Sequence, residues 1–405
     1  MTTASIAGFS RARLQHIDRF IEERYIAPEK LPCALTLVAR HGEVAHLGVL
    51  GQADRERGTA LKEDSIFRIY SMTKPLTSVA FMMLVEEGKV ALDDPVEKFI
   101  PEWRNLGVFV AGQPGAFQTR PVTRPMQVVD LLRHTSGLTY GFQNRTNVDA
   151  AYRKTAVGEV NGKVGLEGMI STLATIPLEF SPGEAWNYSV STDVLGYLIE
   201  VISGAPFPEF LKTRLIEPLG MTDTAFHVPP EKAGRFTVCY NRSPAGALAL
   251  QDDPKKSPFL APPKLYSGGG GLVSTAADYL KFCQMLLNGG AANGVRFLSR
   301  KTLRFMTLNH LPGGKDLTEL SRSLFSEATN AGIGFGLGFA VTQDLARNLI
   351  AGSIGEFYWG GAASTAFWVD PAEDLVVVFM TQFMPSSFYP IRRELRTLVY
   401  AAIDD

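Results

Sequence analysis

The chain has 405 residues, with 40 basic and 41 acidic side chains and a net charge of −1. So even a balance gives no long-range field for a polyanion, which argues against nucleic acid or an anionic membrane surface as a partner. Hydrophobic residues at 45% and charged residues at 20% exclude wholesale disorder. Three widely spaced cysteines (Cys33, Cys239, Cys283) support neither a disulfide framework nor a zinc ribbon.

Taken in chain order, Leu14, Ile17, Phe20, Ile21 and Tyr25 recur at helical spacing behind Ser10, a residue suited to the N-cap. Runs 34–39 and 44–50 flank His41-Gly42 and read as a β-hairpin, and 66–70 as a third short strand. From about residue 86 to 265 the pattern is mainly helical, broken by Pro/Gly loops such as the linker-like stretch 111–125. Gly332, Gly334, Gly336 and Gly338 alternate along a strand-like run to Val341, which lets another backbone or a ligand approach one face. Strand-like runs 363–369 and 375–381 surround the turn 370–374, and an amphipathic segment 389–403 closes the chain. These patterns predict one antiparallel sheet built from both chain ends, residues 1–85 and 266–405, with 86–265 as a mainly helical insertion.

The start of the chain lacks a basic n-region and an apolar h-region, and no run approaches 18 apolar residues, so a soluble cytoplasmic protein is expected. Neither HExxH, CxxC, a Walker loop nor Gly-x-Ser-x-Gly is present, and neither glycine cluster, 268–271 or 332–338, satisfies GxGxxG. No metal or cofactor is therefore expected.

The chemistry-bearing segment is Phe67 to Leu76. A short strand gives way at Ser71 to a helical pattern carrying Leu76, Val79, Ala80, Met83 and Leu84, with Gly88 as its stop. Pro75 cannot donate a helical hydrogen bond, so the helix starts only a few residues before it. Ser71 then sits in the first turn, where free N–H groups and the positive dipole end favour a developing oxyanion. Lys74, three residues on, lies on the same face, placing a nucleophile beside a base. With 23 Ser and 15 Lys in the chain, about one Ser-x-x-Lys is expected by chance, so this pair alone decides little. A second marker is the Pro182-Gly183 turn leading through Trp186 to Tyr188 and a helix-like run from Val190. A third is Trp359-Gly360-Gly361-Ala362 at the entry to the C-terminal hairpin. Each has a structural reading as well, a core aromatic for Tyr188 and a packing glycine pair for Gly360 and Gly361. Tyr140, Phe142, Tyr152 and Trp186 are candidates to wall a pocket.

In their order and spacing these markers resemble the serine β-lactamase and penicillin-binding protein superfamily, and within it the family VIII carboxylesterases, which are class C β-lactamase-like esterases. Leu132-Arg133-His134-Thr135-Ser136-Gly137-Leu138, the run Ser267 to Asp278 and the Val369-Asp370-Pro371 turn carry the same likeness. The resemblance implies an α+β, β-lactamase/transpeptidase-like fold, with a central antiparallel sheet flanked by helices, a mainly helical domain, and an active site in the cleft between them. It places the Ser-x-x-Lys motif on Ser71 and Lys74 and the tyrosine motif on Tyr188. The backbone N–H groups of Ser71 and Ala362 become the oxyanion hole, and Trp359, Gly360 and Gly361 bind substrate together with Tyr140 and Trp186. Lys74 and Tyr188 form one titrating unit, because a tyrosine of ordinary pKa near 10 serves as a base only beside an ammonium.

Two departures bear on the substrate. Tyr188-Ser189-Val190 lacks the asparagine of Tyr-x-Asn, and Trp359-Gly360-Gly361 stands where lactamases carry Lys-Thr-Gly. Replacing the cation with an indole favours neutral acyl esters over an anionic lactam. The expectation is a serine carboxylesterase acting on small-molecule short-chain esters, with weak β-lactam turnover as a side activity. The alternatives are an acyltransferase that passes the acyl group to an alcohol, a β-lactamase or D-amino-acid peptidase, and a binding protein with a dead site. No histidine is required for catalysis, and His134 reads as a structural hydrogen-bonding residue.

Overall fold

In the computed structural model, which describes residues 5–160, 162, 164–244, 246–322 and 330–405, the amphipathic opening segment is helix α1 (Arg11–Ile21). It buries Leu14, Ile17 and Ile21. Ser10 occupies the N-cap in an extended conformation but makes no side-chain capping bond. Strands β1 (Cys33–Arg40) and β2 (Glu43–Asp54) form the expected hairpin. Its two turn residues, His41 (φ 54°) and Gly42 (φ 77°), are both left-handed, the conformation whose twist matches the flanking strands. A short β3 (Thr59–Ala60) edges the sheet, and helix α2 (Thr73–Glu86) follows. The middle of the chain supplies α3 (Ser191–Ser203), and α4 (Ala276–Leu287) leads back toward the sheet. Strands β4 (Ile333–Phe335), β5 (Ala340–Thr342), β6 (Phe357–Gly360), β7 (Ala366–Asp370) and β8 (Leu375–Met380) precede the closing helix α5 (Ile391–Ala402).

The sheet has the order β4-β5-β6-β7-β8-β1-β2-β3 and is antiparallel throughout. Its centre joins the two ends of the chain, since β8 pairs with β1 from Leu375↔Arg40 to Met380↔Leu35. Every residue of these two strands is buried, because helices cover both faces. On one face α1 and α5 pack over Val38, Trp368 and Val377. On the other lie α2 and α4, in an apolar cluster that runs unbroken from Leu35 and Val378 into the helical middle segment at Leu131, Met169 and Leu195. Residues 73 to 84 of α2 are all buried, so this helix is apolar all round and shows no surface stripe.

Three expectations need correction. The stretch 111–125, read as a linker, belongs in large part to a hairpin of Val108–Gln113 with Ala116–Arg120, stabilised by an edge-to-face Phe109–Phe117 contact. The 332–341 run is two strands, β4 and β5, because Gly336 to Phe339 turns the chain between them. The 66–70 strand is only Phe67–Arg68. It pairs with Val273–Ser274 outside the main sheet, and the chain then tightens into a 3-10 turn, Tyr70–Met72. Among the described residues no single helix is long and apolar enough to cross a membrane.

Candidate active site

Ser71 lies in the 3-10 turn that feeds α2. Tyr70, immediately before it, has φ 41°, a left-handed conformation that a non-glycine residue holds only when its surroundings impose it. The restraints are local: Ile69 N–H donates to the Leu272 carbonyl (3.1 Å), Leu272 N–H to Thr73 Oγ1 (3.1 Å), and the Tyr279 hydroxyl to the Met72 carbonyl (2.8 Å). The run 267–272 and α4 thus clamp the turn from one side.

Lys74 is 2% exposed. Its Nζ stands 3.4 Å from Ser71 Oγ and donates to the Gly269 carbonyl at 2.6 Å. The ammonium also sits over the Tyr188 ring (4.5 Å) and the Tyr140 ring (5.2 Å). Asp193, fully buried in the first turn of α3, braces the same loop: its Oδ1 accepts from Ser267 Oγ (2.5 Å) and Gly269 N–H (3.0 Å). Burial pushes the Asp193 carboxyl up while the Lys74 ammonium opposes that shift. A β-carbon on Gly269 would stand 2.6 Å from Asp193 Oδ2 and 2.8 Å from the Tyr140 hydroxyl, so only glycine brings this carbonyl to the lysine. The glycine run, which has no cofactor signature, therefore positions the ammonium.

Tyr188 is 3% exposed and sits in an aromatic cage of His134, Tyr140, Trp186 and Trp359, with ring centroids 5.0 to 6.2 Å away. The Trp359 indole N–H donates to the Tyr188 hydroxyl at 3.3 Å. His134 is buried, with its Nδ1 3.2 Å from Ser189 Oγ. Burial and the Lys74 charge hold its pKa well below the ordinary value, so it stays neutral. Burial, with Asp193 and Tyr188 nearby, pushes the Tyr140 phenol well above its usual value.

Gly360 and Gly361 close the site from β6. A β-carbon on Gly361 would meet the Ile69 carbonyl at 2.4 Å, and one on Gly360 the Arg392 guanidinium at 2.6 Å. Both readings of this pair therefore meet: the glycines let the strand end lie against the turn that carries Ser71, and they face the same cavity. That cavity has a volume of about 1090 Å³. Ser71, Tyr140, Trp186, Tyr188, Trp359 and Ala362 all line it, as do Gly360, Gly361 and Phe142, whereas Tyr152 does not and is a core residue at 1% exposure. Of the candidate site residues read from the sequence, all but Lys74, which lies beneath the wall, and Tyr152 thus reach one cavity. Sequence reasoning missed Asp193 and the Gly269 carbonyl. An acid in a first helical turn looks like an ordinary dipole partner, and nothing local marks it as facing a lysine. The three cysteines are buried, and burial raises their thiol pKa values, to about 12 for Cys33 and about 11 for Cys239.

Comparison with known proteins shows what the chain as a whole is similar to. The Beta-lactamase family model matches residues 17–401. Protein Rv1367c of Mycobacterium tuberculosis is 36% identical over 356 residues, covering 87% of this chain and 86% of its own. Esterase EstB of Burkholderia gladioli is 30% identical, covering 99% of this chain and 100% of its own. The solved structure of EstCE1, described as a hydrolase with promiscuous acyltransferase activity, superposes with a TM-score of 0.79 at 24% identity, over 96% of this chain and 98% of that one.

Proposed function

Since the chain belongs to the beta-lactamase family, we propose that it is a serine carboxylesterase that hydrolyses neutral acyl esters through an acyl-enzyme on Ser71. One observation carries the reading: the Ser71 hydroxyl lies 3.4 Å from a buried ammonium that also contacts the Tyr188 ring, in a cavity walled by an indole. The likeness to an esterase over both full lengths supports the choice of an ester as substrate.

In this mechanism Ser71 Oγ attacks the ester carbonyl and its proton passes to the Lys74/Tyr188 unit. The helix N-terminus and the backbone at Ala362 stabilise the oxyanion, and the same unit returns the proton to the departing alkoxide. Water then attacks the acyl-serine and regenerates the hydroxyl. Gly269 and Asp193 keep the ammonium in place, and Trp359 orients the Tyr188 hydroxyl. A Ser71→Ala variant should lose p-nitrophenyl butyrate turnover by on the order of 10³-fold or more. An alkyl phosphonate should leave one adduct, on Ser71, by mass spectrometry. Full activity in Ser71→Ala would overturn the assignment.

A second reading, acyl transfer to an alcohol, is favoured by the size of the cavity, which far exceeds a butyryl group and leaves room for an acceptor beside the acyl-serine. The relative Acyltransferase calJ of Penicillium decumbens, 27% identical, fits it. Product analysis with a competing alcohol separates the two readings: hydrolysis alone would count against transfer.

A further inference from the structure

The N–H of Ala362 and the carbonyl of Gly361 belong to one amide. In a trans peptide the two point in opposite directions, so whatever holds the carbonyl also aims the N–H. The Gly361 carbonyl accepts from Arg392 Nη2 at 2.6 Å and from the Ser364 N–H at 3.1 Å. The same Nη2 donates to the Thr365 carbonyl at 2.8 Å, which also accepts from the Gly361 N–H at 2.9 Å. One guanidinium thus spans both ends of the turn that carries Ala362 from β6 to β7. On its other side the turn lies against the Ile69 carbonyl, two residues before Ser71. Ala362 lines the cavity, and its N–H donates to no acceptor among the described residues.

Two features set this arginine apart from an ordinary helix residue. Arg392 is the second residue of α5, at the positive end of the helix dipole, where a cation gains nothing from the helix itself. Gly360 clears its path, since a β-carbon there would stand 2.6 Å from the guanidinium carbon. From these contacts we infer that Arg392 is a positioning residue for the oxyanion hole: by holding the Gly361 carbonyl it fixes the direction of the Ala362 N–H.

The role rests on the acyl-enzyme reading of Ser71. As Ser71 Oγ bonds to the ester carbonyl carbon, the π pair moves onto oxygen and the serine proton passes to the Lys74/Tyr188 unit. The oxyanion exists only from that point, so an N–H aimed in advance stabilises the transition state more than the bound ester. A charged donor on the carbonyl also polarises the amide, which makes the N–H on its far side a stronger donor.

The test compares wild type, Arg392→Ala and Arg392→Lys with p-nitrophenyl butyrate and with two ketones carrying the same propyl chain. Propyl trifluoromethyl ketone adds Ser71 Oγ to its carbonyl carbon and so presents an oxyanion, whereas propyl methyl ketone binds as a neutral carbonyl. Arg392→Ala should lower kcat at least tenfold with KM within threefold. Its Ki for the trifluoromethyl ketone should rise by the same factor as kcat/KM falls, with that for the methyl ketone unchanged. Arg392→Lys, which reaches one carbonyl instead of two, should lose at least threefold in the same pattern, and it carries the test if the alanine variant does not fold. Loss of folded protein alone lowers the rate without changing either Ki, and that outcome overturns the assignment. So does a parallel rise in KM and in both Ki values, which would place the guanidinium on the substrate itself, and so do kinetics within twofold of wild type in folded variants. Failure of the esterase reading is seen separately, in the wild type, as no ester hydrolysis and no phosphonate adduct on Ser71, and it would remove the oxyanion that the arginine serves.

Discussion

A buried lysine is costly unless its donors are satisfied and an opposite charge lies near, and Lys74 draws on groups distant in sequence: the Gly269 carbonyl accepts from it, and its charge acts on the Asp193 carboxyl, which burial pushes up. The Ser71 turn depends equally on small residues placed far along the chain. Gly361→Ala would set a β-carbon 2.4 Å from the Ile69 carbonyl, two residues before Ser71, and neither backbone can yield without moving the turn. The variant should lose at least tenfold in kcat/KM and melt at a lower temperature. Unchanged kinetics would show that the strand end does not position Ser71. His134 supplies a pH signature. Its folded pKa lies below the ordinary 6.5, so the unfolded chain takes up the proton first. The stability it contributes is present above about pH 6.5 and is lost as pH falls toward the folded value, at up to about 1.4 kcal/mol per pH unit. His310 shifts in the same direction, so the measurement is the difference between wild type and His134→Asn, in which asparagine tolerates the left-handed φ of 57°. The wild type should lose more melting temperature between pH 7 and pH 5, and parallel curves would refute the assignment.

Elements with one strong period were legible in the sequence: α1 and α5 by their apolar stripes, the β1–β2 hairpin by its His-Gly turn, and α2 by its stop at Gly88. Elements whose form depends on a partner were not. The 108–120 hairpin is mostly exposed, so it lacks the alternation of a half-buried sheet, and the glycines of 332–338 conceal a turn because glycine suits strand and turn alike. The attachment of α5 to the sheet was invisible too. Glu356, fully buried, accepts from Thr342 Oγ1 (2.8 Å) and from Tyr400, and pairs with Arg396, whose guanidinium pKa burial lowers to about 10. Removing one partner leaves a buried charge without compensation. Glu356→Leu should therefore destabilise by about 3–5 kcal/mol, and the double variant Glu356→Leu/Arg396→Leu should recover much of that loss. Denaturant unfolding of the wild type, these two variants and Arg396→Leu tests this, and additive effects would argue against the pair as a unit.

Across the whole molecule, the two chain ends meet at the centre of the sheet and again where α1 packs against α5, with Arg13 donating to the Ala401 carbonyl at 2.6 Å. Ile391, Leu395, Val399 and Ala402 are at most 1% exposed against that face. Burying the three larger side chains is worth about 1.5–3 kcal/mol each, which together rivals the roughly 5–15 kcal/mol stability of an ordinary domain. A chain ending at residue 390 should show no cooperative melt by circular dichroism and should accumulate as insoluble protein. A cooperative transition close to that of the full chain would contradict this.

By itself the sequence determined the local periods, the helical segment that follows Ser71 and brings Lys74 back beside it, and the order of the three markers. These are short-range consequences of backbone geometry and side-chain spacing, and they persist wherever the segment folds. Only the tertiary structure decided that the Gly269 carbonyl, in a loop fixed by Asp193, accepts from the lysine and that Trp359 reaches the Tyr188 hydroxyl. Those contacts join residues as much as 195 positions apart, and they exist because packing the helical segment against the sheet brings those groups within hydrogen-bond reach, which no local pattern encodes.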